Sequence, residues 1–280
     1  MSFSPSSHPK KKKWLLPVIG AVVVVVVAAG GFIWWFLRDD APDAVSLATA
    51  TESLSSLSTT TAAAAAGSSD TTAAGAATTA APGASTTAAA AAGGSAIEGT
   101  WNVDTSIGEF SFENSTGSFV GFRVAEELQG VGSTTAVGRT PNVSGTMTIA
   151  GTTVTAVSIE ADMTALVTNE RQRDSKARGA LETDQFPTAT FVLTQPIELG
   201  ADAAGGAATS VTATGDLTIH GVTRSVQFPL QAQLTNGLVV VVGSLDVVFA
   251  DYGVAVPTAP FVLSAEDNGP IELQLFFSKG

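Results

Sequence analysis

Residues 215–231, GDLTIHGVTRSVQFPLQ, constrain the fold more than any other stretch of the chain. Leu217 and Ile219 alternate with Asp216 and Thr218. Beyond His220-Gly221, residues Val226, Phe228, Leu230, Ala232 and Leu234 alternate with Ser225, Gln227, Gln231 and Gln233. Period-two alternation buries one face and leaves the other wet, as in an antiparallel sheet. Gly221 supplies the permissive backbone that a tight reversal needs. The stretch therefore predicts a hairpin with one side against a core.

The same alternation recurs from residue 97 onward. It predicts strands over 100–103, 109–112, 118–128, 142–149, 153–163, 188–194, 210–219, 224–235, 238–249 and 271–278. Val143, Met147 and Ile149 share a face, as do Val157, Ile159, Ala161 and Met163. So do Val239, Val241, Leu245, Val247 and Phe249, and likewise Ile271, Leu273, Leu275 and Phe277. Turn signals such as Ala150-Gly151 and Asn236-Gly237 separate neighbours. Many short one-sided strands predict an antiparallel barrel or sandwich. One short helix interrupts them, with Asn169 and Gln172 forming a capping box and Gly179 offering a stop.

Four stretches carry a family resemblance. LTIHGVTR (217–224) with its following strand resembles the signature hairpin of the YceI-like domain family. WNVD (101–104) resembles that family's opening strand. RDSKARGALETDQFPTATF (173–191) resembles its Arg-Asp helix and Phe-Pro strand start. FADYGVAVP (249–257) resembles its late aromatic-Gly turn. The order is that of the family, and the resemblance covers roughly residues 97–280. It implies a mainly β fold, a lipocalin-like antiparallel β-barrel of about eight strands with one short helix. It also implies an elongated polyisoprenoid-type lipid as ligand. Relatives often carry a His near residues 122–128, where this chain has Glu126 and Glu127.

The N-terminal third has a different character. Residues 1–13 end in four lysines and read as a cytoplasmic basic tail. Residues 14–37 run almost without charge, with Trp14 at one end and Trp34-Trp35 at the other. A helix of that length spans about 36 Å, enough to cross a bilayer. The competing reading is a cleaved signal peptide. The run is longer than a typical h-region, and Trp34-Trp35-Phe36-Leu37 is a poor cleavage environment, which favours an uncleaved transmembrane helix. The lysines place the N-terminus inside and the C-terminal domain outside the cell membrane. Residues 38–96 are nearly all Ala, Thr, Ser and Gly. Their Ala runs are too short to nucleate helices alone. They predict a disordered linker with a root-mean-square span of roughly 40–45 Å, or a stiffer glycosylated stalk. That leaves one foldable domain, 97–280.

Composition narrows the chemistry. There is no cysteine, so no disulfide, thiol nucleophile or thiolate metal site exists. The net charge of −12 falls in the C-terminal domain and argues against a nucleic-acid partner. His8 and His220 are the two histidines, and only His220 lies in the domain. One imidazole without a nearby acidic cluster predicts no metal site and no cofactor. No G-x-S-x-G elbow supports a Ser-His-Asp triad, so no catalytic residue is expected. His220 is expected as a turn residue, its ring exposed or bonded to backbone.

Two features bear on binding. Arg171, Arg173, Lys176 and Arg178 form a basic cluster. It is a candidate head-group rim, or else a solvated helix face balanced by Glu170, Asp174 and Glu182. The inward apolar residues either fill the barrel or line a hollow one. Pattern alone favours a filled core, and the family resemblance favours a hollow barrel. Phe110, Phe112, Phe122, Phe191, Leu193, Leu217, Ile219, Phe228, Leu230 and Ala232 are the candidate lining. The expected function is lipid binding near the membrane, for storage, transfer or sensing, with the apolar lipid and the bilayer as partners. The alternative is a stalked structural or adhesive domain with a filled barrel.

Overall fold

The structure of the chain is a computed structural model that describes residues 41–66, 96–113, 115–169, 171–257 and 262–280, with backbone alone for 57–66 and Gln172. The expected cytoplasmic tail and transmembrane helix, and residues 38–40 and 67–95 of the expected linker, lie outside the described residues. Among the described residues no helix is long and apolar enough to cross a membrane.

The strands assemble as one antiparallel sheet. In chain order they are β1 (Gly99–Val103), β2 (Phe119–Leu128), β3 (Gly132–Thr140), β4 (Val143–Ala150), β5 (Thr153–Asp162), β6 (Val167–Thr168), β7 (Thr188–Leu193), β8 (Ile197–Glu198), β9 (Thr209–Ile219), β10 (Val222–Thr235), β11 (Leu238–Val248), β12 (Val262–Ala265) and β13 (Asn268–Lys279). Eight strands close on themselves in the order β1-β4-β5-β7-β9-β10-β11-β13, because β13 also pairs with β1. The expected hairpin at 215–231 forms, with Val222 opposite Ile219 and Phe228 opposite Ala213. Its turn residue His220 has φ +52° and Gly221 φ +72°.

The edge of β13 opposite β11 is shared between two strands. Val103 pairs with Phe277 at one end, and Phe122 with Ile271 towards the other. There β2 and β3 continue the wall, and α2 (Arg171–Ala180) packs beside β6. Strand β3 is absent from the sequence-based expectation, because GSTTAVGRT has no alternation. Conversely, residues 109–112 form no strand. They belong to an irregular loop in which Thr116 N–H donates to the Glu109 carbonyl at 3.0 Å.

The helix boundaries also differ from expectation. The Asn169 side chain reaches β3. It accepts from Val137 N–H and donates to the Thr135 carbonyl, both at 3.3 Å, and so ties the segment to β3. Asp174 accepts from Thr168 N–H at 2.7 Å and from its hydroxyl at 2.8 Å. Gly179 lies inside the helix, and the left-handed residue after it is Glu182 at φ +45°.

The largest correction concerns the expected linker. Leu47–Ala66 form a helix, α1, docked on the outside of the barrel. Ser46 Oγ accepts from Thr49 N–H at 3.2 Å and caps it. Leu47, Ala50 and Leu54 lie on one face at helical spacing and are buried against Val240, Val242 and Phe276. That contact supplies what Ala and Thr runs lack by themselves. Just before the helix, Arg123 Nη1 donates to the Pro42 carbonyl at 2.7 Å, and Arg139 Nη2 to the Asp43 carbonyl at 3.0 Å. Glu272 lies beneath, 3.7 Å from Arg123. Burial pushes the Glu272 carboxyl up and the Arg139 guanidinium down, and the two opposite charges oppose those shifts.

Candidate lipid-binding cavity

Strand alternation directs every second side chain of the closed sheet inward. Those side chains do not meet in the middle. They enclose an apolar cavity of about 480 Å³. Its wall takes Val120, Phe122 and Val124 from β2, Val157, Ile159 and Ala161 from β5, Phe191 from β7, and Val211, Ala213, Leu217 and Ile219 from β9. Phe228, Leu230 and Ala232 of β10 and Ile271, Leu273 and Leu275 of β13 face it too, with further side chains from β4 and β11.

Missing Cβ atoms help keep the centre open. Phe122 faces Gly138, where a Cβ would stand 2.5 Å from the ring. Phe191 lies over Gly215 in the same way, again at 2.5 Å. Each ring rests against the wall instead of projecting across the lumen. Phe191 and Phe228 then meet edge to face, with centroids 6.2 Å apart.

The two ends differ. The floor is sealed by buried Ile97, Ile197 and Ala203, next to Trp101, whose Nε1 donates to the Ile97 carbonyl at 2.8 Å. The mouth is bordered by Glu126 at the end of β2, by α2, and by half-buried Val254, Val256 and Val262 with exposed Pro257. Here stands an ion pair between Arg173 Nη2 and Glu126 Oε2 at 2.9 Å, each side chain under a fifth exposed. Burial raises the Glu126 carboxyl above its ordinary value, against the pull of Arg173. Lys176 borders the same opening and is exposed.

Of the candidate lining, Phe122, Phe191, Leu217, Ile219, Phe228, Leu230 and Ala232 border the cavity. Leu193 packs in the surrounding core without bordering it. Phe110 and Phe112 lie outside the barrel, because their segment is a loop and not a strand. Phe110 borders a separate surface hollow, and Phe112 lies under Arg139, 5.9 Å from ring centroid to guanidinium carbon. Of the basic cluster, Arg173 and Lys176 reach the mouth. Arg171 is exposed, and Arg178 donates to the Leu166 carbonyl at 2.8 Å. Arg173 pairs across to β2, Asp174 serves Thr168, and Glu182 faces His220; Glu170, the third acidic residue of the expected balance, lies outside the described residues.

Glu126 escaped the sequence reading as a cavity residue, although it sits two residues after Val124 on the inward face. The motif residues Phe186, His220 and Tyr252 come together at the mouth end. The His220 ring is not exposed. It stacks edge to face on Phe186 at 4.8 Å, and its Nδ1 lies 3.1 Å from the Tyr252 carbonyl. That Nδ1 must carry a proton to donate to a carbonyl. Nε2 lies 3.4 Å from Glu182. A Cβ on Gly221 would meet the Phe186 ring at 2.5 Å, so this glycine is required by space as well as by φ. The backbone-bonded half of the expectation for His220 matches this geometry.

The YceI-like domain profile matches residues 101–277. Among solved structures, the chain is similar to a polyisoprenoid binding domain from Saccharophagus degradans, at 18% identity over 65% of this chain and 99% of that one, with a TM-score of 0.47. It is similar to BcnA of Burkholderia cenocepacia at 19% identity, over 57% of this chain and 95% of that one, with a TM-score of 0.43. A YceI protein of Campylobacter jejuni gives 15% identity, 51% and 85% coverage, and a TM-score of 0.41. No curated protein matches the chain. With the profile match extending over well more than half of its length, the chain belongs to the YceI-like domain family.

Proposed function

We propose that the protein is a membrane-anchored, extracytoplasmic binder of a long apolar lipid of isoprenoid type, serving its storage, transfer or sensing. The anchor rests on the sequence of residues 14–37. The observation that carries the lipid-binding part of this reading is the apolar cavity of about 480 Å³ whose charged lining residues, Glu126, Arg173 and Lys176, stand together at one end. Such a shape favours an elongated apolar molecule with its tail on the floor and its polar end beside Arg173 and Lys176. Family membership supports the same reading. The contacts of His220 with Phe186 and the Tyr252 carbonyl fit a structural part in such a barrel.

The cavity size bounds the ligand. A dry cavity of about 150 Å³ holds benzene. On that scale this cavity takes about twenty carbons, or about four isoprene units. A longer chain has to leave through the mouth.

The test is mass spectrometry of organic extracts from the protein purified out of its native host. A stoichiometric long-chain apolar lipid is the expected result. Extracts free of lipid, together with failure of the delipidated protein to bind a fluorescent isoprenoid, would leave a structural or adhesive domain instead.

A further inference from the structure

The docked segment before and within α1 says which way the cavity faces. Pro42 is held by Arg123, and Asp43 by Arg139. Leu47, Ala50 and Leu54 then join a cluster with Val240, Val242 and Phe276. The segment thus passes from the level of Gly269, beside Arg123, to that of Phe276, towards the floor, with α1 lying on β11 and β10. Its starting point is near the mouth. Arg123 lies three residues before Glu126 on β2, about 10 Å along the strand. The floor end of β13, at Lys279, is ten residues beyond Gly269, which stands beside Arg123. That is about 33 Å.

The sequence upstream is short. Only residues 38–41 separate Leu37, the last residue of the expected membrane helix, from Pro42. Fully extended, the five steps reach at most about 18 Å. The sequence composition alone suggested a barrel on a long tether. The docked segment removes most of that tether and leaves the mouth as the end nearest the bilayer.

The surface at that end fits. Val248 and Leu263 are large apolar side chains at 45% and 63% exposure, and both lie on strands at the mouth. Charge does not favour this contact, because Glu182, Asp184 and Asp251 share the rim with Arg171 and Lys176. The contact rests on the short connection and the apolar side chains.

We propose that residues 41–54 fix the barrel with its cavity mouth against the bilayer, so that an apolar lipid passes between membrane and cavity without crossing water. This rests on the anchored-binder reading. It adds an orientation, and it assigns residues 41–54 as the device that sets it.

The absence of native cysteine allows unique labels. Leu263→Cys marks the mouth, and Ala208→Cys, in the exposed loop before β9, marks the floor end. Each full-length variant is labelled with an environment-sensitive fluorophore. It is then reconstituted in phosphatidylcholine vesicles carrying a nitroxide lipid. Quenching several-fold stronger at 263 than at 208 is expected. Equal quenching, or stronger quenching at 208, in vesicle-bound protein would overturn the orientation while leaving the anchor intact. Failure to float with the vesicles would overturn the anchor, and the orientation with it. Ala50→Asp places a charge at a position with no exposure beneath α1 and should release the segment. The difference between the two labels should then vanish, with the barrel still folded by circular dichroism. Persistence of the difference in that variant would overturn the role given to residues 41–54.

Discussion

Ala232→Phe separates a hollow barrel from a filled one by free energy. Ala232 lies on β10 opposite Val241 and Thr209, and its methyl group borders the cavity. The substitution adds one phenyl ring to the lumen. A benzene occupies a cavity of about 150 Å³, so the ring takes up to about a third of the 480 Å³ present. Space is available, so the overpacking cost of roughly 1–3 kcal/mol that a filled core exacts should not appear. The ligand-free variant should unfold within about 1 kcal/mol of wild type, or above it from added apolar burial.

The ligand bears the loss. One ring displaces about one isoprene unit of five carbons. At about 0.8 kcal/mol per buried carbon this is at most about 4 kcal/mol, or about a thousandfold in Kd. Bound lipid stabilises the folded state and would mask the comparison. Both proteins must therefore be delipidated, unfolded in urea, and separately titrated with a fluorescent isoprenoid. A variant destabilised by 1–3 kcal/mol or more on the same scale, with wild type unable to bind, would refute the hollow barrel.

Three further outcomes follow from the geometry. A chain shortened to residues 97–280 loses the cover over Val240, Val242 and Phe276 and uncovers the Arg139–Glu272 cluster. Urea unfolding should show it several kcal/mol less stable than residues 41–280, at about 1.5–3 kcal/mol per uncovered large side chain, and equal stability would show that α1 contributes nothing. Glu126 has a folded-state pKa raised above the free value of 4.5, so its contribution is fully present below that value and is lost as pH rises through the folded value. Glu126→Gln should remove that part of the decline in stability between pH 4.5 and neutrality, and parallel wild-type and variant curves would contradict the assignment. His220→Ala removes the donor to the Tyr252 carbonyl and should cost about 1–3 kcal/mol in urea unfolding with lipid binding retained; lost binding at unchanged stability would contradict its structural role.

The barrel was legible in the sequence because one-sided burial leaves a period-two trace. Residues 217–219 and 226–234 show it, and so do 244–247 and 271–275. Where burial is two-sided, the trace disappears. In β3, Ala136 to Thr140 are all buried, with the cavity on one side and the Arg139–Phe119 stack on the other, and no alternation remains. The loop at 109–112 shows the reverse error: Phe110 and Phe112 alternate with Ser111, yet β13 already has neighbours along that edge, and no strand is left for the segment to pair with. The spacing of Leu47, Ala50 and Leu54 was present but submerged in Ala, Ser and Thr. The clearer signal for a cover lay elsewhere. Val239 to Val242 are apolar at successive positions, and a strand wet on one face has no use for that. The Arg173–Glu126 pair joins residues far apart in sequence, and only the fold brings them together.

A cavity at the centre poses a stability problem for the fold. Residues that line a lumen face space and forgo the contacts across it that a close-packed core supplies. The structure places packing where it does not compete with the ligand. At the mouth, Phe186, His220 and Tyr252 lock three turns together. On the outer wall, Leu47, Ala50 and Leu54 meet Val240, Val242 and Phe276. The outer cluster borders a buried arrangement of Arg123, Arg139 and Glu272, whose desolvation offsets much of its Coulomb gain. Its donors reach two particular backbone carbonyls, at Pro42 and Asp43, and so it defines where the segment sits more than how firmly. A simple stalk has no need of a fixed register. A segment that must present one end of a barrel to a neighbouring surface does.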